Sequence, residues 1–403
     1  MNPLPFVAAI IRKDWWATVA FILFIALAAA LGVAMTAQEK ALRSGSARAA
    51  DRFDFVVSAP GSQTDVLFKT VFLRPGTVEL LPPEITAKLL ADDNAVFAAP
   101  LGFGDSHDGD AIAGTTRDLV TAISGGALAE GRMFQSYDEA VVGANSPLSI
   151  GATFHAEHGH GEEEEEEGVG EHGTRLTVVG RMAVTGSPWD RAIVVPIEQM
   201  WLVHNLPTGH NPLNAKALGP PFDSGFLSGV PAVIVKPKTL SDAYRLRGVY
   251  RSERSTAFFP AEVLLELYGL MGDIRQLMSL MALGTQALVI GAIIAGVIAL
   301  LRVHRKQFAT LRALGAPRSY ILATIWLYVA IIVGMGSFLG LALGWVLAKA
   351  VSSMVAASTG IALSPVIGWS ELALVTGLVV VGCLLALVLA IRFYREPIIN
   401  ALR

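Results

Sequence analysis

One short segment, residues 155–174, holds the residues of this chain that are best suited to binding a metal ion. Its sequence, HAEHGHGEEEEEEGVGEHGT, contains half of the chain's eight histidines and a run of six glutamates. Neutral imidazole is a good ligand for Zn, Cu and Ni, and carboxylates add oxygen ligands. A short His-rich tract is a composition typical of metal binding. The candidate ligands are His155, Glu157, His158, His160 and His172.

This His/Glu-rich segment also has a simpler interpretation. Its H-x-x-H-x-H spacing matches no closed structural zinc site, and no cysteine contributes a ligand. Like charges at this density repel and the glycines add backbone entropy, so the pattern predicts a disordered loop of a long β-hairpin. Two interpretations stay open. One is weak, exchangeable capture of a divalent transition metal, zinc foremost; the other is a solvated acidic loop with incidental histidines.

The remaining four histidines lie in surroundings that need no ligand to explain them. His107 belongs to GDSHDGD, where Asp105, Asp108 and Asp110 make a second acidic, loop-like patch whose simplest interpretation is a turn. His204 and His210 flank LPTG in a Pro- and Gly-rich stretch, which predicts a surface loop. His304 lies in a basic cluster, where we expect a solvated side chain.

Motifs for catalysis are absent from the sequence. The chain contains no G-x-x-x-x-G-K-[ST] phosphate loop, no G-x-S-x-G elbow and no H-E-x-x-H pair. Energy for any active process must therefore come from a partner. The long apolar segments also carry almost no ionisable residues, which an enzyme acting inside a membrane needs. We expect no catalytic residue, no enzymatic activity and, apart from the metal discussed above, no cofactor.

Four apolar segments are long enough to cross a membrane, which takes about 20 residues as a helix. They predict spans at residues 15–36, 277–301, 321–347 and 372–391. Lys and Arg clusters lie before the first span, between the second and third, and after the fourth. The positive-inside rule therefore places both termini in the cytoplasm and the long stretch between the first two spans outside.

The basic loop between the second and third predicted spans, residues 302–320, reads RVHRKQFATLRALGAPRSY. Phe308, Leu311 and Leu314 recur at helical spacing, and Gly315-Ala316-Pro317 ends the pattern. This predicts a short amphipathic helix at the inner membrane face. Such a helix presents a surface to a cytosolic partner.

The run LRALGAPRSYI, with basic residues before it and an apolar span after it, resembles the coupling loop of MacB/FtsX-type ABC transporter permeases. The tail YREPIINALR is similar to the tail of the same permease domain. The ordered motifs EGRMF, EAVVGA, IGATF and LTVVGRMAVTGSPWDRAIVVPIEQM are similar to the periplasmic core domain of MacB-like permeases. The resemblance covers nearly the whole chain. One departure is Gln307, where many members of the family have a Glu before the Phe.

The resemblance implies a mechanotransmission permease that binds a separate ABC ATPase subunit and forms a homodimer, or a heterodimer with a related permease. ATP-driven closure of the ATPase subunits is then passed through the coupling loop and two stalk helices to the outer domain. Membrane lipid and a periplasmic protein are further expected partners, whereas the net charge of −3 gives no sign of a nucleic-acid partner. The residues carried over as the ATPase contact are Arg305, Phe308, Leu311, Arg312, Leu314, Gly315 and Pro317.

The predicted fold class is an α-helical membrane protein with four transmembrane helices and a large extracytoplasmic α/β domain inserted between the first and second helices. Its predicted place is the bacterial inner membrane. The boundaries are 1–14 for a cytoplasmic or interfacial segment, 37–276 for the outer domain, 302–320 for the coupling loop, 348–371 for a short periplasmic loop and 392–403 for a cytoplasmic tail, with the four spans between them.

Three functions fit the sequence. The first is a transporter subunit whose His/Glu-rich segment handles zinc. The second is an exporter or extractor of unrelated cargo (lipoprotein, peptide, haem or drug) with no metal role. The third is a regulatory, FtsX-like protein that activates a periplasmic partner. Metal binding by the segment separates the first from the second, and ATP-dependent capture of a partner protein by the outer domain favours the third.

Overall fold

The structure is a computed structural model of the 403-residue chain. The residues that it describes are 2–158, 175–214, 216–270, 272–304, 307–308, 310–311 and 314–394. The chain divides into two compact units. The helical unit comprises Met1–Leu42, Gly272–Met354 and Ser364–Arg403, and the sheet domain comprises Arg43–Met271 and Val355–Leu363.

Among its described residues, the helical unit contains a short N-terminal helix and four long ones. They are α1 (Leu4–Lys13), α2 (Trp15–Ala50, whose last turns belong to the sheet domain), α9 (Gly272–Val303), α10 (Arg318–Thr359) and α11 (Trp369–Tyr394). Three described helices have the length and apolar composition to cross a membrane, at Trp15–Ala50, Arg318–Ala356 and Trp369–Val388. The predicted second span falls in α9, whose described apolar stretch, Gln286–Gly296, is shorter. The predicted second span therefore stays a prediction.

These helices extend well beyond the apolar segments that predicted them. Helix α2 continues from the first span to Ala50, and α10 continues to Thr359. Their continuations are more polar, and hydropathy alone does not mark where such a helix ends.

A stripe of glycines on α10 packs against α2 within the helical unit. A Cβ atom built on Gly340 would lie 2.6 Å from Cβ of Ala29, closer than real side chains approach. The same holds one turn away on either side, where the neighbours are Ile25 for Gly336 and Val33 for Gly344. Small residues spaced in this way let two helices approach closely. This face of α10 therefore packs on the chain's own first long helix.

The sheet domain is built around one mixed sheet with eleven strands among its described residues. The strands are β1 (Phe55–Ser58), β2 (Ala95–His107), β3 (Asp110–Thr115), β4 (Leu128–Gly131), β5 (Glu139–Val142), β6 (Thr153–His155), β7 (Glu157–His158), β8 (Arg175–Met182), β9 (Ile193–Pro196), β10 (Ala232–Pro237) and β11 (Thr256–Phe258). Their order is β11-β1-β10-β2-β3-β9-β5-β8-β4, with β6 also paired to β8 and β7 to β2. Only the β3–β9 and β5–β8 pairs are parallel among the described strands.

Helices cover both faces of this sheet, so its strands are apolar on both sides. In β1, Phe55 and Val57 join one core cluster and Val56 joins the other. Helices α3 (Gln63–Thr70), α5 (Arg117–Ile123) and α8 (Pro260–Leu270) contribute to the cluster that contains Val56. Helices α4 (Pro83–Leu90), α6 (Ile197–Val203) and α7 (Leu240–Tyr250) contribute to the other. The domain is therefore a three-layer α/β unit, which agrees with the predicted α/β class.

Candidate functional site

The predicted coupling loop, residues 302–320 (the coupling segment), is described in part. Arg305 and Arg312, two of its predicted contact residues, lie outside the described residues. The segment follows the end of α9 at Val303 and leads into α10 at Arg318.

Phe308 fixes the coupling segment to the core of the helical unit. Its side chain is 2 % exposed and belongs to the same cluster as Val7 and Ile10 of α1. The ring of Phe6 lies 6.2 Å from that of Phe308, tilted by 58°. The N-terminal helix thus places one apolar face beneath the coupling segment. Phe308 therefore packs the coupling segment against the core of the helical unit.

The outward part of the segment ends in a turn that only glycine fits easily. The Ala316 N–H donates to the carbonyl oxygen of Leu311, and Gly315 has φ +88°. This is the pattern of a Schellman helix end, in which the left-handed residue is usually glycine. Leu311 packs against the core cluster, whereas Leu314 is 79 % exposed and Pro317 is also exposed. The segment therefore offers an apolar side chain, Leu314, on a turn with a defined shape.

His304 is buried, contrary to the expectation of a solvated side chain. It is 2 % exposed, its Nδ1 lies 2.7 Å from Oε1 of Gln307, and its Nε2 lies 3.0 Å from Oδ2 of Asp14. Asp14 is the residue between α1 and α2. The imidazole therefore joins the start of the coupling segment to the N-terminal helix pair, and Gln307, the departure from the family pattern, is one of its partners.

The predicted hairpin around the His/Glu-rich segment is confirmed at its base. Strand β6 pairs antiparallel with β8, His155 opposite Arg175, and β7 pairs with β2, so that the backbones of His158 and Asp105 are opposite each other. His160 and His172 lie outside the described residues, and of Glu157 and His158 only the backbone is described.

The strand pairing brings two His- and Asp-containing stretches together that are far apart in sequence. The ring of His107 packs 5.0 Å from that of Phe154, next to His155. Both His107 and His155 have a buried Nδ1 with no hydrogen-bond partner among the described residues. The predicted turn after His107 is a two-residue Asp-Gly hairpin. No group of three His, Cys, Asp or Glu side chains within the described part of the chain could hold a metal ion.

A buried pair that the sequence analysis missed lies in the sheet domain. Glu198 of α6 is 1 % exposed, its Oε1 lies 3.3 Å from Nε2 of His210, and it accepts the Gly219 N–H at 2.5 Å. Burial raises the pKa of Glu198, although the bonds from Gly219 and His210 act in the opposite direction. His210 is therefore buried rather than on a surface loop. The signal that could have found the pair is a lone Glu inside the apolar run IVVPIEQMWLV.

The comparison with known families concerns the part of the chain that contains the coupling segment. Residues 277–397 match the family described as FtsX-like permease C-terminal. No match is found among curated proteins. The family is typically a non-catalytic membrane subunit of an ABC transporter with a separate ATPase, in the bacterial inner membrane. Residues 277–397, which contain the last helices and the coupling segment, are therefore similar to the C-terminal domain of FtsX-like permeases, and this match supports an FtsX/MacB-like ABC permease.

Proposed function

We propose that this chain is the permease subunit that couples ATP hydrolysis by a separate ATPase to movement of its extracytoplasmic sheet domain. The observation that carries the proposal is the exposed turn at Leu314, held on a coupling segment whose Phe308 and Leu311 side chains pack inside the helical unit. An apolar side chain on a fixed turn is pre-organised for binding, because little conformational entropy is lost when a partner covers it.

The buried and exposed residues of the coupling segment take different roles in this proposal. Leu314, Gly315 and Pro317 form the contact with the ATPase, and Arg305 and Arg312, which lie outside the described residues, contribute positive charge to it. Phe308 and Leu311 transmit the load, because both pack into the cluster that α1, α2, α10 and α11 share. The contact lies in the cytoplasm, with both termini on the same side, and the permease acts as a homodimer or with a related permease.

The test of this function is copurification of the full-length chain with its ATPase from membranes. Leu314→Asp places a charge on an exposed side chain, so the protein should insert and fold normally while ATPase recovery falls at least about tenfold, as expected for loss of a central contact. Leu213→Asp is the matched control, since Leu213 of the sheet domain is 91 % exposed. Equal ATPase recovery in the two variants contradicts the proposed contact.

A second candidate function, zinc handling, rests on the base of the His/Glu-rich segment. The observations that favour it are the pairing of β7 with β2 and the buried Nδ1 atoms of His107 and His155, which have no hydrogen-bond partner among the described residues. The ligands proposed are His155, Glu157, His158, His160 and His172. A zinc titration of the full-length chain beside a variant with these four histidines changed to Asn tests it. Saturable zinc binding that disappears in the variant supports zinc handling, whereas equal binding by the two proteins contradicts it.

Two other functions have tests of their own. An exporter of lipoprotein, peptide, haem or drug keeps its transport activity when the four histidines are replaced. A regulatory permease captures a periplasmic protein on the sheet domain only while ATP is hydrolysed.

A further inference from the structure

The loop between α10 and α11 is part of the sheet domain. Residues Val355–Leu363 group with that domain, although the chain before and after them groups with the helical unit. Both backbone groups of Ala362 are bonded there. Its N–H donates to the carbonyl oxygen of Gly186 at 3.2 Å, and its carbonyl oxygen accepts from Nη2 of Arg48 at 3.2 Å.

Two glycines allow this loop to fit closely. A Cβ on Gly45 would lie 2.8 Å from Cδ2 of Leu363 and 3.2 Å from the carbonyl oxygen of Ala362. Gly360 has φ +70°, and a Cβ there would lie 2.9 Å from Cα of Pro188. The loop is therefore in contact with backbone on two sides. Ile361 also packs against the core cluster of the sheet, and Leu363 is buried.

The loop that receives these contacts, residues 185–190, is fixed to the sheet. Asp190 is 2 % exposed, and its carboxylate accepts from the Thr185 N–H and hydroxyl at 2.7 Å each and from the Gly186 N–H at 2.8 Å. Trp189 is fully buried in the core. Strand β9 begins at Ile193, three residues after Asp190. A force applied at Gly186 or Pro188 therefore acts on a braced loop at the start of a central strand.

We propose that residues 359–363 (the anchor segment) are a fixed anchor through which displacement of α10 and α11 reaches strand β9 of the sheet domain. This rests on the proposed function, because the ATPase supplies the displacement. Helix α10 is unbroken up to Thr359, so a movement along its axis arrives one residue before Gly360. The anchor is thus a chain connection to the sheet domain additional to those through α2 and α8.

The first test compares hydrogen exchange of full-length Gly360→Ala and Gly151→Ala in lipid nanodiscs. Gly151 has φ +87° with nothing near its Cβ position, so this control carries the same backbone strain without the contact to Pro188. Gly360→Ala should speed exchange at residues 185–190 and 193–196 by about tenfold or more, because the added methyl group forces the anchor segment away from Pro188. The exchange rate of strand β11 should be unchanged in Gly360→Ala, and the Gly151→Ala control should exchange like the wild type at residues 185–190 and 193–196. Faster exchange confined to residues 359–363 overturns the proposal.

The second test traps the contact. A Cβ on Gly186 would lie 3.7 Å from Cβ of Ala362, within the range of about 3.5–4.5 Å found in disulfides. Gly186→Cys with Ala362→Cys, on a Cys383→Ala background, should form the bond almost completely in membranes. Each single variant controls for the strain of a side chain at the positive φ of Gly186. Two thiols that react with maleimide and yet form no bond contradict the anchor.

The third test asks whether the anchor stays closed during ATP turnover. With the copurified ATPase, the disulfide-bonded chain should keep any ATP-dependent change in exchange at β9, and Gly360→Ala should lose it. If the disulfide-bonded chain loses the ATP-dependent change in exchange at β9, the contact between the anchor segment and residues 185–190 must open in each cycle. That result overturns the proposal of a fixed anchor. A wild-type chain without any such change refutes the proposed function, whereas the first two tests still decide whether the anchor exists.

Discussion

The glycine stripe on α10 gives a prediction whose size follows from the structure. In Gly340→Ala the new methyl group would lie 2.6 Å from Cβ of Ala29 and 2.8 Å from the carbonyl oxygen of Ala26. Ordinary carbon contacts are about 3.5–4.0 Å, so α10 and α2 must separate locally by about 1 Å. Overpacking of this kind costs about 1–3 kcal/mol, and we expect Gly340→Ala to destabilise the helical unit by that amount.

Gly334 is the matched control on the same helix, because a Cβ there has no neighbour within 4 Å. Both variants exchange Gly for Ala in a helix interior, so the intrinsic helix preference of about 1 kcal/mol is common to both and cancels in the comparison. Unfolding of the purified full-length protein in mixed micelles of increasing SDS content measures the difference. Equal midpoints for the two variants refute the close α2–α10 packing. A larger loss for Gly334→Ala instead shows that the other face of α10 is packed, as a dimer interface would require.

Three further predictions concern residues that the sequence did not single out or placed differently. Burial raises the pKa of Glu198, so the contribution of this group to stability is complete below the ordinary Glu pKa of 4.5 and is lost as the pH rises through the higher pKa of the folded state. Glu198→Gln should flatten this pH dependence and raise the melting temperature at neutral pH. Thermal unfolding scans from pH 4.5 upward measure both effects. Unchanged curves contradict a buried, desolvated carboxylate. Phe308→Ala should lower the stability of the helical unit by about 3–5 kcal/mol and reduce ATPase recovery although the ring is buried. A variant with unchanged stability shows that the ring is outside the core. Asp190→Ala removes the acceptor for two backbone N–H groups and should destabilise the sheet domain by about 1–3 kcal/mol. Asp138→Ala, at an exposed position in a turn, should cost less in the same melts.

The sheet domain was largely predictable because local signals agreed with the final fold. The segment PPEITAKLLAD contains α4 at Pro83–Leu90, and RAIVVPIEQMWLV forms β9 followed by α6. Pro within the first turn and turn residues at strand ends mark such elements directly. The order of strands in the sheet could not be obtained in this way, because β10 pairs with β1 and β2 across more than a hundred residues.

The site residues were harder to predict because burial decides what a polar side chain does. His304 and His210 are in polar stretches of sequence, yet both are buried beside a carboxylate. The partner of His304 is Asp14, which is distant in the sequence, and the partner of His210 is Glu198, which is not conspicuous in it. Phe308 and Leu314 both fit the apolar face of one predicted helix, but the structure buries the first and exposes the second. Hydrophobic periodicity identifies an apolar face and does not say which of its residues meets the core of the chain and which a partner.

The central claim is that the turn at Leu314 touches the ATPase, and photo-crosslinking tests it most directly. A benzophenone amino acid placed at position 314 of the full-length chain, with position 213 as the equally exposed control, is irradiated in membranes from the native host, and the products are identified by mass spectrometry. Position 314 should crosslink to a protein carrying a phosphate-binding loop, and position 213 should not. Crosslinks from position 314 only to lipid, or to another copy of the permease, contradict this claim.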